Sequence, residues 1–250
     1  MALRNYHPMK FYIGLHIPKQ AERFERAFIS INRVYGRQKP VPSKDWILDS
    51  GAFTEISRHG EYRHVPWSYA YEVNRLASIN PGLIAAVSQD YMCEPHILQK
   101  TGLTIANHQR LTIERYDELR SLVRNVYLMP VLQGYHWKEY LNHIDQYGSR
   151  LAEGAYVGVG SICKRNANMA VIEALLCTIK KYRPDLRLHG FGLKATALAS
   201  GVVRDCLYSA DSMAWSFAAR REGRNANCWK EASKFIRKIE TQSVQLGWHW

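Results

Sequence analysis

The sequence contains no Cys-x-x-Cys pair. Its five cysteines, Cys93, Cys163, Cys177, Cys206 and Cys228, are odd in number and widely spaced. That fits reduced thiols and supplies neither a disulfide framework nor a structural zinc set. No run of about 18 apolar residues occurs, so no transmembrane helix is expected. The start, MALRNYHPMKFYIGLHIPKQ, has only a short apolar stretch, broken by His16 and Pro18, and does not read as a secretory leader. A cytoplasmic protein without membrane attachment is the expectation. No Gly-x-Gly-x-x-Gly follows the first apolar run, which argues against a dinucleotide-binding sheet. Linkers, low-complexity segments and internal repeats are also missing, so residues 1–250 read as one domain. Acidic residues are scarce: Asp plus Glu is 22 against 34 for Lys plus Arg, a net charge of +12. A basic surface attracts polyanions, of which nucleic acid is the commonest.

What the chain does contain is a repeated alternation. Short apolar runs begin at Phe11, Trp46, Leu83, Tyr127, Ala155, Arg187 and Cys206. Each has strand length and reads as buried on both faces, as parallel strands do. Amphipathic stripes separate them. Phe24, Phe28, Ile31 and Tyr35 follow the first run, and Tyr69, Val73 and Leu76 the second. Ile113, Tyr116, Leu119 and Leu122 follow the third; Val171, Ile172, Leu175 and Ile179 precede Pro184. The spacing predicts helices. Seven strand–helix units are legible, one short of a full (β/α)8 barrel. The fold class expected is α/β, a TIM-type barrel with an incomplete or irregular eighth unit.

Polar residues gather at the same end of nearly every strand. Asp49-Ser50-Gly51, Ser88-Gln89-Asp90, Gln133-Gly134, Gly158-Val159-Gly160-Ser161, His189-Gly190-Phe191-Gly192 and Ser209-Ala210-Asp211-Ser212 occupy corresponding places. In a barrel these ends meet at one mouth. One aspartate there is an ordinary helix cap; three aspartates, a glutamine and several glycines point to a site. Glycines let a flat ligand approach the backbone. Asp90 and Gln133 offer the acceptor and donor edges that a purine needs. Phe53, Tyr91, Tyr135, Phe191 and Trp215 are candidates to sandwich a base. His16 and His108 read as structural. Lys164 and Arg165, just before a helix start, are a candidate phosphate seat, as are Lys194 and the basic segment Arg220, Arg221 and Arg224.

The motifs DSGAF, SQDY, VLQGY, VGVGS, HGFGLK and SADSMAW stand in the order seen in tRNA-guanine transglycosylases. They resemble more closely the DNA-acting branch, the deazapurine-in-DNA transglycosylases (DpdA). The resemblance implies a TIM-type barrel that exchanges guanine for a 7-deazaguanine, by default the cyano form preQ0, without breaking the strand. It implies DNA and a free 7-deazaguanine base as partners. Asp211 resembles the nucleophile region and Asp49 the carboxylate that helps proton transfer. Ser50, Gly51, Asp90, Gln133, Gly134, Gly158, Gly160, His189 and Gly192 resemble base-binding positions. The tRNA enzymes carry a zinc site after the last strand; here only Cys228 lies in that region, so no metal and no other cofactor is expected. Two rival readings remain open at this point: a base-excising glycosylase with water as acceptor, and a nucleic-acid-binding barrel without activity. A tRNA substrate is the further alternative.

Overall fold

A computed structural model describes residues 9–163 and 168–246. Nine strands form one sheet: β1 (Lys10–Gly14), β2 (Arg26–Ser30), β3 (Asp45–Asp49), β4 (Leu83–Val87), β5 (Tyr127–Met129), β6 (Val131–Leu132), β7 (Tyr156–Val159), β8 (Arg187–Gly190) and β9 (Leu207–Ser212). Their order is β5-β4-β3-β2-β1-β9-β8-β7-β6, and every neighbouring pair is parallel. The two ends of that sheet, β5 and β6, are consecutive pieces of one extended run divided by Pro130. Proline has no N–H and interrupts the ladder. The seam is nonetheless bonded on both sides: Ser88 N–H donates to Met129 O (2.9 Å), and Gly158 N–H to Pro130 O (2.9 Å). Counting β5 and β6 together gives eight strand positions, a nearly closed α/β barrel of the TIM type.

The eighth strand is β2, inside the segment whose spacing predicts a helix. Phe24, Phe28, Ile31 and Tyr35 do recur at helical intervals, but the chain forms a 3-10 turn at Pro18–Arg23 and then a strand at Arg26–Ser30. Within RAFIS the period is two. Ala27 and Ile29 pack outward against the helices, and Phe28 points into the barrel. A five-residue apolar run serves either period, and pairing with β1 and β3 decides it.

The helices are α1 (Ile31–Val34), α2 (Ala52–His59), α3 (Pro66–Ile79), α4 (Pro95–Thr101), α5 (Ile105–Leu122), α6 (Trp137–Tyr147), α7 (Met169–Tyr182), α8 (Ala195–Leu198), α9 (Gly201–Cys206), α10 (Ala214–Arg221) and α11 (Trp229–Leu246). Their apolar stripes meet outward-facing strand residues such as Trp46, Leu48, Val157 and Leu188 in the main core. The barrel interior is a second core of Tyr12, Phe28, Ile47, Ala85, Val87, Met129, Val131 and Tyr156. These side chains fill the barrel interior below the strands' carboxyl ends. The larger aliphatic members, Ile47, Val87, Met129 and Val131, each contribute about 1.5–3 kcal/mol by leaving water. Among the described residues no helix is long and apolar enough to cross a membrane.

Candidate active site

At the carboxyl ends of the strands lies a cavity of about 600 Å3, within the range that takes a small organic ligand. Asp49, Asp90, Gln133, Gly160, Gly192 and Asp211 line it, joined by Ser30, Glu94, Ser161 and Phe191. The three aspartates named from the sequence therefore face one space.

Asp49 ends β3, next to Ser30 of β2 in register. Gly51 follows with φ of 78°, a left-handed conformation that side chains resist. That turn aims the N–H groups of Gly51 and Ser50 back at the Asp49 carboxylate, and the Ser30 hydroxyl also donates to it. Burial and the nearby Asp211 charge nevertheless push its pKa up to about 6. The Asp-Ser-Gly sequence is thus both turn and site: the turn holds the carboxylate.

Asp90 is gripped through its backbone. Tyr62 accepts from Asp90 N–H (2.9 Å) and donates to Asp90 O (3.0 Å). Gln133 Nε2 donates to Asp90 Oδ2 (2.5 Å), and the Ser161 hydroxyl faces Gln133 Oε1 (2.7 Å) and Glu94 Oε2 (2.9 Å). Burial, opposed by the Gln133 bond and reinforced by Asp49 and Glu94, raises the Asp90 pKa to about 7. Gln133 uses one amide hydrogen on Asp90 and one lone pair on Ser161.

Asp211 stands on β9 opposite Tyr12 of β1. Gly192 N–H donates to its Oδ1 (3.0 Å), and His189 Nε2 lies 3.3 Å from the same atom. His189 Nδ1 faces the hydroxyls of Ser209 (2.7 Å) and Tyr156 (3.2 Å). With Nδ1 accepting from Ser209, Nε2 carries the proton and donates to Asp211. His189 is fully buried and stacks on Phe28. It lies beneath Asp211 rather than on the cavity wall, so its contact is with the carboxylate and not with a base.

The remaining sequence-predicted positions divide. Ser50 is buried behind the wall, 3.5 Å from Asp90 Oδ1. Gly134 packs against Tyr140, and Gly158 against Phe191 below the floor. Of the aromatic candidates, Phe53 and Phe191 line the cavity. Trp215 is buried and donates to Gly14 O (2.9 Å). His108 is a buried bridge between Met92 O (2.6 Å) and Thr101 Oγ1 (2.9 Å). Lys194 is exposed beside α8, away from the lining, and Arg221 is exposed at the end of α10. Arg220 is close enough to His16 on the rim that its charge, after burial and Arg33, lowers the imidazole pKa. Arg224 is bound to Glu222 and Glu231. Lys164 and Arg165 lie outside the described residues.

Several lining residues were not foreseen. Ser30 was hidden by the helical reading of β2. Glu94, the buried residue immediately before α4, belongs to none of the motifs read from the sequence. Arg33, Arg58 and Arg63 bring positive charge to the cavity, yet sit in segments with no basic run. Among the described residues no group of three or more His, Cys, Asp or Glu side chains is placed to hold a metal ion.

The family model for DpdA, DeoxyPurine in DNA protein A, matches residues 8–240. The chain belongs to the DpdA family. Membership implies a role in deazapurine modification of DNA, and a transglycosylase-type enzyme with DNA as substrate. Comparison with curated proteins gives no match. In this DpdA chain the glycine at the rim has a steric role that can be tested. A Cβ on Gly160 would overlap the Gln133 side-chain amide, which Asp90 and Ser161 hold in place. Gly160→Ala is expected to displace that amide, weaken base binding more than tenfold, and cost about 1–3 kcal/mol of stability. Calorimetric titration with a 7-deazaguanine and urea unfolding measure the two effects.

Proposed function

We propose that the protein replaces guanine in DNA with a 7-deazaguanine through a covalent glycosyl–Asp211 intermediate. The observation that carries this reading is the convergence of Asp49, Asp90 and Asp211 on one cavity of about 600 Å3. Asp211 attacks the sugar C1′ from the face opposite the base, and the C1′–N9 bond breaks. A transition state of oxocarbenium character is stabilised by that carboxylate. Guanine leaves readily only when protonated, and Asp49, with a pKa raised to about 6, can hold a proton near neutrality. The Asp49 carboxylate, left ionised by the departure of guanine, then takes the N9 proton of the incoming base, whose N9 attacks C1′ from the vacated side and releases Asp211. Two inversions retain the β configuration, and no other energy source is required.

Asp90 and Gln133 are positioned to read the purine edge, with one carboxylate and one amide presenting acceptors and a donor. A base inside a duplex must be extruded first, at a cost of a few kcal/mol. The default incoming base is preQ0. The test is incubation with plasmid DNA carrying labelled guanine and with free preQ0, followed by nucleoside mass spectrometry. The expected result is a 7-deazaguanine nucleoside in DNA with stoichiometric release of guanine. Release without incorporation would establish the glycosylase with water as acceptor. Incorporation into tRNA but not DNA would transfer the reaction to the other substrate.

A further inference from the structure

Beside the cavity mouth lies an aromatic ledge that the base-exchange chemistry does not use. Trp67 and Tyr71 on α3 are 64% and 58% exposed, and Tyr35 after α1 is 49% exposed. Trp67 and Tyr71 stack with centroids 6.1 Å apart at 24°; Tyr35 and His64 stack at 4.9 Å and 20°. The Tyr35 hydroxyl lies 3.4 Å from Ser68 Oγ, which ties the two pairs together. Large aromatic side chains gathered on a surface cost solvation unless something covers them.

The ledge is continuous with the cavity along two separate segments. Tyr35 lies two residues beyond Arg33, and His64 directly follows Arg63; both arginines line the cavity, as does Arg58. Neither Arg33 nor Arg58 forms an ion pair with a carboxylate among the described residues, while Arg63 is bound to the buried Glu55 (2.8 Å). Arg33 meets the His16 ring (3.3 Å) rather than a carboxylate, and stacked rings bordered by guanidinium groups without carboxylate partners match a single nucleic-acid strand, with bases on the rings and phosphates on the arginines.

We infer that Tyr35, His64, Trp67 and Tyr71 form a stacking platform for the unpaired DNA bases flanking the extruded guanosine, with Arg33 and Arg58 seating the phosphates between them. This deepens the reading that the cavity takes a base from DNA and rests on it. Extrusion strips the flanking bases of a stacking neighbour, and the ledge replaces that neighbour. The platform therefore acts on strand binding and leaves the exchange chemistry to the cavity.

The test is fluorescence anisotropy with a single-stranded oligonucleotide holding one guanosine, with no free base present. Trp67→Ala and Tyr35→Ala are each expected to weaken binding about tenfold, with Trp67→Phe restoring most of it. The dependence on salt stays unchanged in these variants, whereas Arg33→Ala and Arg58→Ala each lower the log–log salt slope by about 0.7. An oligonucleotide with abasic sites on both sides of the guanosine loses the same affinity, and combining it with Trp67→Ala produces no further loss. The exposed position of Trp67 keeps the fold intact on substitution. Wild-type affinity in both aromatic variants overturns the platform, as does full additivity with the abasic sites. A concentration-dependent dimer that Trp67→Ala abolishes assigns the ledge to a second copy of the chain and also overturns it. Failure of the base-exchange reading is separate: the wild type would bind the strand normally and release no guanine.

Discussion

Asp211→Asn is expected to lower the exchange rate by on the order of 10⁴-fold while leaving DNA and base binding near wild type. The substitution keeps the shape of the side chain and an oxygen for the Gly192 N–H and for His189. It removes the charge that, in the proposed exchange, attacks C1′. The wild type, quenched with denaturant in the absence of an acceptor base, should carry a protein–DNA adduct visible as a shifted band on a denaturing gel. The variant should show none. An adduct formed equally well by Asp211→Asn would place the nucleophile elsewhere, and Asp49 would be the next carboxylate to test. His189→Phe gives an independent check, because the histidine's polar contacts are with Asp211 Oδ1 at 3.3 Å and with the Ser209 and Tyr156 hydroxyls, while its ring packs on aromatic neighbours that a phenylalanine can also meet. It acts by positioning the carboxylate. Its loss should reduce the rate of adduct formation without changing the KM for the incoming base, a split that a base-contacting residue would not produce.

The sequence made the aspartates legible because a parallel barrel converts position along the chain into position around a mouth. Asp49, Asp90 and Asp211 each end an apolar run, and that pattern alone brings them together once the sheet closes. The glutamine and Gly160 followed for the same reason. His189 did not follow: it points into the barrel one layer below Asp211, against Tyr12, Phe28 and Tyr156, a depth that its place near a strand end does not reveal. Ser30 was lost with the whole of β2, where a five-residue run matched two periods equally well. The arginines at the mouth were invisible for a different reason. Arg33 lies on α1, Arg58 on α2 and Arg63 in the loop after α2, and only the folded chain sets them side by side, while the basic segment that did stand out, Arg220 to Arg224, places one of its members between two glutamates.

The cavity also makes stability and activity depend on pH in the same direction. Asp49 has a folded pKa raised from 3.8 to about 6, and Asp90 from 3.8 to about 7. Between pH 4 and pH 7 the folded protein therefore binds more protons at these sites than the unfolded chain does. The sign follows from linkage: their contribution to stability is full below pH 4 and is lost as pH rises through the folded values. At pH 8 both carboxylates are charged inside a cavity that disfavours charge. Asp49→Asn and Asp90→Asn should each stabilise the ligand-free protein by about 1–3 kcal/mol at pH 8, and the gain should vanish near pH 4. Urea unfolding at the two pH values reads the difference, and a gain equal at both would show that the carboxyl groups are not perturbed. In the proposed exchange the same proton serves catalysis. Protonation of departing guanine needs Asp49 in its acid form, so kcat/KM should decline as pH rises above about 6, and Asp49→Asn should abolish that decline along with most of the activity. Removing the groups that strain the fold at neutral pH removes the chemistry as well, which is the trade-off expected where an active site keeps carboxylates buried together.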